Sequence, residues 1–115
     1  MTSKEFVRKY LPFAKENEKL TKVPYSITLA QAALESGWGK HTPGNNFFGV
    51  KAGKSWRGDR QLLWTTENVN GKTVKIQDWF RKYDSPLDSF KDHAEVLQRR
   101  FAKAFECVDP IEFIK

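Results

Sequence analysis

One short segment, residues 31–39, constrains this chain more than any other, because an apolar stretch ends there in two closely spaced glycines. Upstream of it, Pro24 suits a first helical turn. Apolar residues then recur at helical spacing, at Ile27, Ala30 and Leu34. Gly37 and Gly39 predict the helix end, since glycine accepts the left-handed backbone that closes many helices. The segment therefore predicts a helix that stops abruptly beside one carboxylate, that of Glu35.

The carboxyl group of Glu35 lies among small, apolar and aromatic residues in this segment. Burial disfavours the charged form of a carboxyl, so we expect the group to stay protonated near neutral pH. That property makes a general acid. We expect the glycines to let a substrate chain pass closely, and Trp38 to shield the carboxyl from water or to stack on a sugar ring. The alternative is a solvated helix glutamate, as most charged helix residues are.

Further motifs lie in three blocks that span most of the chain. The first, residues 29–51, contains the glutamate, two adjacent asparagines, an apolar pair, a glycine and a lysine. The second is residues 65–67 with Asn70-Gly71 close behind, and the third is residues 80–85 followed by Ser89, Asp92 and His93. These blocks closely resemble the glucosaminidases of glycoside hydrolase family 73, which include flagellar peptidoglycan hydrolases and many autolysins. Three ordered motifs seldom recur by chance.

Hydrolysis of a glycosidic bond needs an acid that protonates the leaving oxygen, together with negative charge or a nucleophile at the sugar carbon. Glu35 fits the acid. For the second role the resemblance favours Glu67, which is predicted at the end of a strand beside a hairpin turn. Asp78 and Asp84 compete for that role. The alternative interpretation of Glu67 is a solvated glutamate near a turn.

Tyr83 resembles the family's tyrosine beside the cleavage site, where it would orient the acetamido group of the substrate. The alternative interpretation is a half-buried strand tyrosine. Two mechanisms stay open at this point. If the acetamido oxygen of the substrate attacks, Glu67 is dispensable and Tyr83 matters more. If Glu67 activates a water on the opposite face of the sugar, the enzyme inverts the configuration.

All four tryptophans and one asparagine are candidates for binding substrate. Trp64 and Trp79 are predicted on exposed strand faces, where aromatic rings can stack on sugars. Trp56 lies in a polar loop in which packing does not readily explain an indole. Asn46 is predicted to hold the loop under the groove through bonds to nearby backbone. Trp38, beside the glutamate, completes the set.

The pattern of the whole chain predicts a mostly helical α+β domain. A capping box at residues 2–5 opens a first helix, which we expect Pro12 to break or restart. Residues 61–67 and 73–83 indicate two strands around an Asn-Gly pair, the preferred dipeptide of a tight hairpin turn. A long helix is expected from Ser85-Pro86 onward. The resemblance implies a lysozyme-like fold, with a helical lobe, a small β-hairpin lobe and a substrate groove between them.

Composition limits what else the chain can be. With 115 residues, we expect residues 1–115 to form a single glucosaminidase domain, without internal disulfide because Cys107 is the one cysteine. The formal net charge of +6 favours anionic partners such as peptidoglycan. Basic residues are interspersed with acidic ones and no nucleic-acid motif occurs, so nucleic acid is not expected. His41 and His93 lack suitable neighbours for zinc, so we expect no metal or cofactor. A monomer is expected.

Both ends of the sequence bear on where and how the chain would act. No apolar run of signal-peptide length opens the chain, and no segment is apolar enough to span a membrane. We expect action at the cell wall, in the periplasm or outside the cell, after phage-type release, specialised export or excision from a larger protein. Residues 109–112 resemble a helix start with few residues after it. We expect either a natural minimal form or a domain that lacks its C-terminal helical segment.

Three functions remain open from the sequence. The first is an endo-acting N-acetylglucosaminidase that cleaves the β-1,4 bond after N-acetylglucosamine in peptidoglycan. The second is a muramidase or a lytic transglycosylase on the same fold, of which the latter needs one catalytic glutamate. The third is a non-catalytic domain that binds cell wall. The joint presence of Glu35, Glu67 and Tyr83 disfavours a purely binding role.

Overall fold

The computed structural model describes residues 1–107, and their side chains as far as residue 100. This part of the chain contains, in order, α1 (Ser3–Thr21), α2 (Tyr25–Glu35), a short 3₁₀ turn (Pro43–Asn45), β1 (Arg60–Val69), β2 (Lys72–Arg81) and α3 (Pro86–Cys107). The predicted α+β class is confirmed. Within the described residues, no helix is both long and apolar enough to cross a membrane. The prediction for residues 109–112 lies outside the described part.

The first helix begins with the predicted capping box. Thr2 Oγ1 accepts a hydrogen bond from the Glu5 backbone N–H at 3.1 Å, and the Glu5 carboxylate accepts one from the Thr2 N–H at 3.3 Å. The predicted break at Pro12 is wrong, because α1 continues through it. Proline removes a helical hydrogen bond at a cost of about 3 kcal/mol. The ring is exposed and lies off the buried face, whose packing offsets that cost; this face comprises Phe6, Tyr10, Ala14 and Asn17.

The second helix forms as predicted, but it buries a different face. Ile27 and Leu34 are exposed, at 46% and 76%, although their spacing predicted a packed stripe. The buried residues are instead Thr28, Leu29, Ala32 and Ala33. Both sides of α2 carry apolar residues, so periodicity alone does not identify the packed side. The small alanine side chains suit the side that packs against α1.

The two strands form an antiparallel hairpin whose turn is the predicted Asn70-Gly71 pair. Both turn residues have positive φ, 53° and 80°, which the tight two-residue turn of a hairpin requires. Strand β2 ends at Arg81, so Tyr83 follows the strand and does not belong to it. The hairpin turn is therefore placed correctly by the sequence, whereas the end of the second strand is not.

Side chains alternate between the two faces of the hairpin. The register pairs Glu67 with Val74, which puts Glu67 and Asp78 on the same face. Trp64 and Trp79 share the opposite face, where both are exposed. The hairpin thus presents carboxylates on one side and indoles on the other.

The core lies where α1 packs against α2 and α3. Its buried residues are Phe6, Tyr10, Ala14, Leu29, Ala32, Ala33, Phe47 and Phe90. The loop before β1 joins the hairpin to this helical lobe: Arg81 N–H donates to Val50 O at 3.0 Å, and Ala52 N–H donates to Trp79 O at 2.9 Å. These bonds hold the small β-lobe against the helical lobe.

Candidate active site

Glu35 is the last residue of α2, and the chain reverses direction immediately after it. Ser36 Oγ donates a hydrogen bond to Ala32 O at 2.5 Å and accepts one from the Gly39 N–H at 3.0 Å. Gly39 has a φ of 85°, and a Cβ there would lie 3.3 Å from a ring carbon of Phe6. Only glycine fits this position without displacing its neighbours. The predicted glycine-rich end of the helix is confirmed.

The expected enclosure of Glu35 by apolar groups is wrong, because its side chain is exposed. Trp38 has a φ of 57°, and its ring packs edge-on against Phe6 of α1, with ring centroids 5.7 Å apart. It lines an open cavity together with residues of α1, to which Glu35 does not contribute. Trp38 therefore does not shield the carboxyl from water, and its predicted role in substrate binding stays a prediction.

Two cavities meet at Glu35, which together with Gly49 lines both of them. The larger has a volume of about 400 Å³ and is called the α3-side cavity; its lining includes Glu35, Gln31, Lys51, His93, Val96 and Arg100. The smaller has a volume of about 170 Å³ and is called the hairpin-side cavity; its lining includes Glu35, His41, Asn46, Leu63, Trp64 and Phe80. Both cavities therefore border Glu35, and together they are called the groove.

Glu67, the predicted second carboxylate, forms an ion pair with Lys51. The same ammonium lies 3.2 Å from Asp78 Oδ2, so it bridges two carboxylates on one hairpin face. These two partners, Glu67 first, raise the pKa of Lys51. The backbone N–H of Trp79 and then Lys51 lower the pKa of Asp78. Because Lys51 also lines the α3-side cavity, it connects Glu67 with the cavity that contains Glu35.

Tyr83 lies in a separate buried network. Its hydroxyl donates to Asp92 Oδ2 at 2.5 Å, and Arg81 Nη1 donates to both oxygens of Asp92 at 2.8 and 2.9 Å. Burial, and then the carboxylate of Asp92, raise the pKa of Tyr83 above its usual range. The indole of Trp56 packs here, 4.5 Å from the Arg81 guanidinium and 5.7 Å from the Tyr83 ring. The expectation that packing does not explain Trp56 is therefore wrong.

A fourth cavity, of about 370 Å³, is lined by Trp56, Tyr83 and Asp84, and its described lining does not include Glu35. Glu35 is absent from the described lining of this cavity, and the predicted roles of the three residues at the cleavage site stay predictions. Further carboxylates line this cavity, namely Asp59, Asp88 and Asp92. Even so, in the part of the chain that the structure describes, no group of three or more His, Cys, Asp or Glu side chains is arranged to hold a metal ion.

Asn46 holds the loop under the groove, as predicted. Its Nδ2 donates to Val50 O at 3.0 Å and to Arg81 O at 2.9 Å, and its Oδ1 accepts from the Val50 N–H at 3.1 Å. Asn45 adds a bond from Nδ2 to Tyr83 O at 3.0 Å. The loop is therefore fixed to the base of the hairpin. A contact between Asn46 and substrate stays a prediction.

The two hairpin tryptophans differ in their relation to the candidate acid. Trp64 lines the hairpin-side cavity with Glu35 and is 68% exposed. Trp79 is 47% exposed and lies outside both cavities that Glu35 lines. An exposed indole beside the groove has a ring face available for stacking. Of the two, only Trp64 is placed next to the candidate acid.

Comparison with known proteins decides the family. A family model for mannosyl-glycoprotein endo-beta-N-acetylglucosaminidases, the glucosaminidase family, matches residues 11–115. The chain belongs to the glucosaminidase family. This finding confirms the resemblance that the three sequence blocks carry.

Named relatives of this glucosaminidase domain are longer proteins. It is 39% identical over 104 residues to the peptidoglycan hydrolase FlgJ of Salmonella typhimurium. The aligned region covers 84% of this chain and 33% of FlgJ. It is also 39% identical over 98 residues to an autolysin of Enterococcus faecalis. That alignment covers 82% of this chain and 12% of the autolysin. The chain therefore spans about a third or less of the length of these relatives.

Solved structures show the same fold. A C-terminally truncated glycoside hydrolase domain of Salmonella typhimurium FlgJ matches with a TM-score of 0.72 and 39% identity, over 85% of this chain and 70% of that one. The catalytic domain of the autolysin Auto from Listeria monocytogenes matches with a TM-score of 0.70 and 32% identity. This match covers 81% of this chain and 54% of that structure's chain. The glucosaminidase domain is thus a glycoside hydrolase domain with the predicted lysozyme-like α+β fold.

Three residues that line the α3-side cavity have no role in the sequence prediction: Lys51, His93 and Arg100. Lys51 lies within, and His93 directly after, the blocks shared with the glucosaminidase family. Their position in these blocks could have marked them as residues of the site. Arg100 lies outside the blocks, on a helix whose groove-facing side cannot be recognised from periodicity alone. For Arg100 the sequence offers no signal.

Proposed function

We propose that this domain is a peptidoglycan hydrolase, an endo-acting N-acetylglucosaminidase that cleaves the β-1,4 bond after N-acetylglucosamine. The observation that carries the proposal is the position of Glu35 at the junction of two cavities, since one glycan strand can then cross the carboxyl with a sugar on either side. Family membership supports the reaction. Relatives named as a peptidoglycan hydrolase, an autolysin and the exo-glucosaminidase LytG of Bacillus subtilis support the substrate.

Glu35 acts as the general acid in this proposal. It protonates the glycosidic oxygen, which then leaves with the sugar on the reducing side of the bond. Because the Glu35 side chain is exposed, water surrounds it until substrate binds. A strand lying across both cavities displaces that water, which strengthens the electrostatic interactions between the acid and the developing charge.

Glu67 is proposed as the second carboxylate. Its ion pair with Lys51, a residue that lines the α3-side cavity together with Glu35, supports this role. From there it activates a water on the face of the sugar opposite to Glu35, which gives inversion of configuration. Asp78 shares the same lysine and is the competing candidate. In the alternative mechanism the acetamido oxygen of the substrate attacks, and Glu67 is then dispensable.

The proposed partners are glycan strands of the cell wall, on which the domain acts as a monomer, in the periplasm or outside the cell. The formal net charge of +6 supports this, because peptidoglycan and its attached polymers are anionic. We propose no nucleic-acid partner and no insertion into the membrane. Residues 1–115 are proposed to act as one catalytic domain.

Analysis of the reducing ends tests the proposed reaction. Insoluble peptidoglycan is digested, the products are reduced with borohydride, and mass spectrometry identifies the sugar at each new end. Reduced N-acetylglucosamine ends are expected. Reduced muramic acid ends would show a muramidase, and anhydro ends a lytic transglycosylase. Absence of any released product would favour the wall-binding function.

A further inference from the structure

The two cavities that meet at Glu35 differ in charge. The α3-side cavity is lined by two cationic side chains, Lys51 and Arg100, together with the amide of Gln31 and the imidazole of His93. The described lining of the hairpin-side cavity contains no lysine or arginine and is mostly apolar or aromatic. In the described linings, cationic side chains therefore border Glu35 on the α3 side and not on the hairpin side.

Arg100 is the cation of the α3-side cavity that can take a ligand. Lys51 is already occupied by Glu67 and Asp78. Among the side chains that the structure describes, no carboxylate forms an ion pair with Arg100, and its side chain is exposed to the cavity's solvent. The guanidinium group binds a carboxylate well, because its paired N–H groups match the two oxygens.

The surroundings of Arg100 form a defined surface. The His93 ring stacks on Phe48 with centroids 3.7 Å apart and planes 7° apart, and His93 Nε2 lies 2.9 Å from Gln31 Oε1. Burial and then the nearby Arg100 lower the pKa of His93, although Asp92 opposes them, and a lowered pKa favours the neutral imidazole. With the proton on Nε2, His93 donates to Gln31 Oε1, and the Gln31 amide group keeps its N–H donors. The described lining thus offers the Arg100 guanidinium, neutral donors and the stacked rings of Phe48 and His93, beside a lysine that is already paired.

We propose that the α3-side cavity binds the sugar on the reducing side of the cleaved bond, and that Arg100 pairs with a carboxylate on the 3-O-lactyl substituent of that sugar. This inference rests on the proposed function: when the bond after N-acetylglucosamine is cleaved, the next sugar is the muramoyl residue. That residue carries the lactyl group, whose carboxyl is either a free carboxylate or an amide linked to a peptide stem that carries its own carboxylates. The neutral N-acetylglucosamine then occupies the hairpin-side cavity, with Trp64 at its edge.

Arg100→Gln and Arg99→Gln form a matched pair for the test. Arg99 is the neighbouring residue on α3, is exposed and pairs with Glu95 at 3.6 Å, so its loss removes the same charge from outside the cavity. The kcat/KM of each variant is measured on three soluble substrates: strands with peptide stems, amidase-treated strands with a free lactyl carboxylate, and the amidase-treated strands after methyl esterification.

Arg100→Gln is expected to lower kcat/KM about tenfold on substrates with a carboxylate, and to leave it unchanged on the esterified strands. Arg99→Gln should leave all three values unchanged. Loss on the amidase-treated strands assigns the contact to the lactyl carboxylate, whereas loss confined to the strands with stems assigns it to the peptide. Arg100→Lys should keep part of the activity, since it retains the charge but not the paired N–H groups.

An equal loss on the esterified strands, an equal effect of Arg99→Gln, or no effect of Arg100→Gln would each overturn the inference. The wild-type products in the same digests keep the two proposals apart. Wild-type digests without reduced N-acetylglucosamine ends would overturn the proposed function itself. Wild-type digests with those ends, but with an Arg100→Gln variant of normal kcat/KM, would overturn only the role of Arg100.

Discussion

Lys51 Nζ lies 3.2 Å from Asp78 Oδ2 and also pairs with Glu67, so one ammonium holds a carboxylate from each strand of the hairpin. Lys51 belongs to the loop that lines the groove beside Glu35. The loop and the hairpin are therefore joined at the groove by this side chain. Lys51 thus links Glu67 of the hairpin to the cavity that Glu35 of the helical lobe lines.

Replacement of Lys51 by methionine is expected to lower kcat about 10- to 100-fold, because Glu67 loses the cation that fixes its carboxylate. Folding stability should change little, since exposed ion pairs contribute little to it. Turnover of peptidoglycan strands and urea unfolding measure the two effects. Lys54→Met is the control, because Lys54 is an exposed lysine near the same loop. If the double variant Lys51→Met/Glu67→Gln turns over substrate as fast as Glu67→Gln alone, Lys51 acts through Glu67. Wild-type turnover by Lys51→Met would refute a role of Lys51 in catalysis.

Tyr83→Phe is expected to destabilise the fold by about 2 kcal/mol, because the hydroxyl donates to the Asp92 carboxylate in a buried network. A kcat near the wild-type value would place Tyr83 outside the reaction, in keeping with the cavity that it lines. Urea unfolding and turnover at a temperature where the variant is folded separate these effects. Tyr25→Phe, at an exposed tyrosine, is the control. A hundredfold loss of kcat in folded Tyr83→Phe would instead support the catalytic role predicted from the family.

His93 should make stability depend on pH. Burial and then Arg100 lower its pKa, although Asp92 opposes them, so the folded chain binds fewer protons at His93 than the unfolded chain does. Its contribution is present above about pH 6.5 and is lost as the pH falls below that value. The thermal unfolding midpoint should therefore decrease as the pH is lowered from 7 to 5. In His93→Gln this decrease should be smaller. If the thermal midpoint depends on pH equally in His93→Gln and in the control His41→Gln, His93 is not the source of that dependence.

Trp64→Ala is expected to raise KM about fivefold, which corresponds to about 1 kcal/mol of lost stacking on a sugar. Trp79→Ala should have a smaller effect, because Trp79 lies outside both cavities that Glu35 lines. Initial rates on soluble glycan strands provide the comparison. Trp64→Phe should recover most of the affinity. Equal effects of the two alanine variants on KM would show that the whole hairpin face that carries Trp64 and Trp79 binds substrate.

Features that depend on local chemistry could be predicted from the sequence. The capping box at residues 2–5, the Asn70-Gly71 turn and the glycine-rich end of α2 all form as expected, because neighbouring residues determine them. The continuation of α1 through Pro12 and the buried side of α2 were not predictable in this way. Both depend on which surfaces pack together in three dimensions, which local propensity does not encode.

The candidate site shows the same division. Glu35 could be recognised from its sequence context, but its exposure could not, because the Trp38 ring turns towards Phe6 of α1. The link between Lys51 and Glu67 joins residues sixteen positions apart and depends on how the loop meets the hairpin. Arg100 lines the α3-side cavity with residues of α2 because both helices pack on α1.

The most direct test of the account is the initial rate of Glu35→Gln on peptidoglycan, compared with wild type and with Glu16→Gln, a change at an exposed glutamate of α1. Circular dichroism confirms that the variants are folded. If Glu35 protonates the leaving oxygen, Glu35→Gln loses about 100- to 10,000-fold in rate, while Glu16→Gln keeps wild-type activity. A folded Glu35→Gln variant that still releases glycan at the wild-type rate would contradict the account.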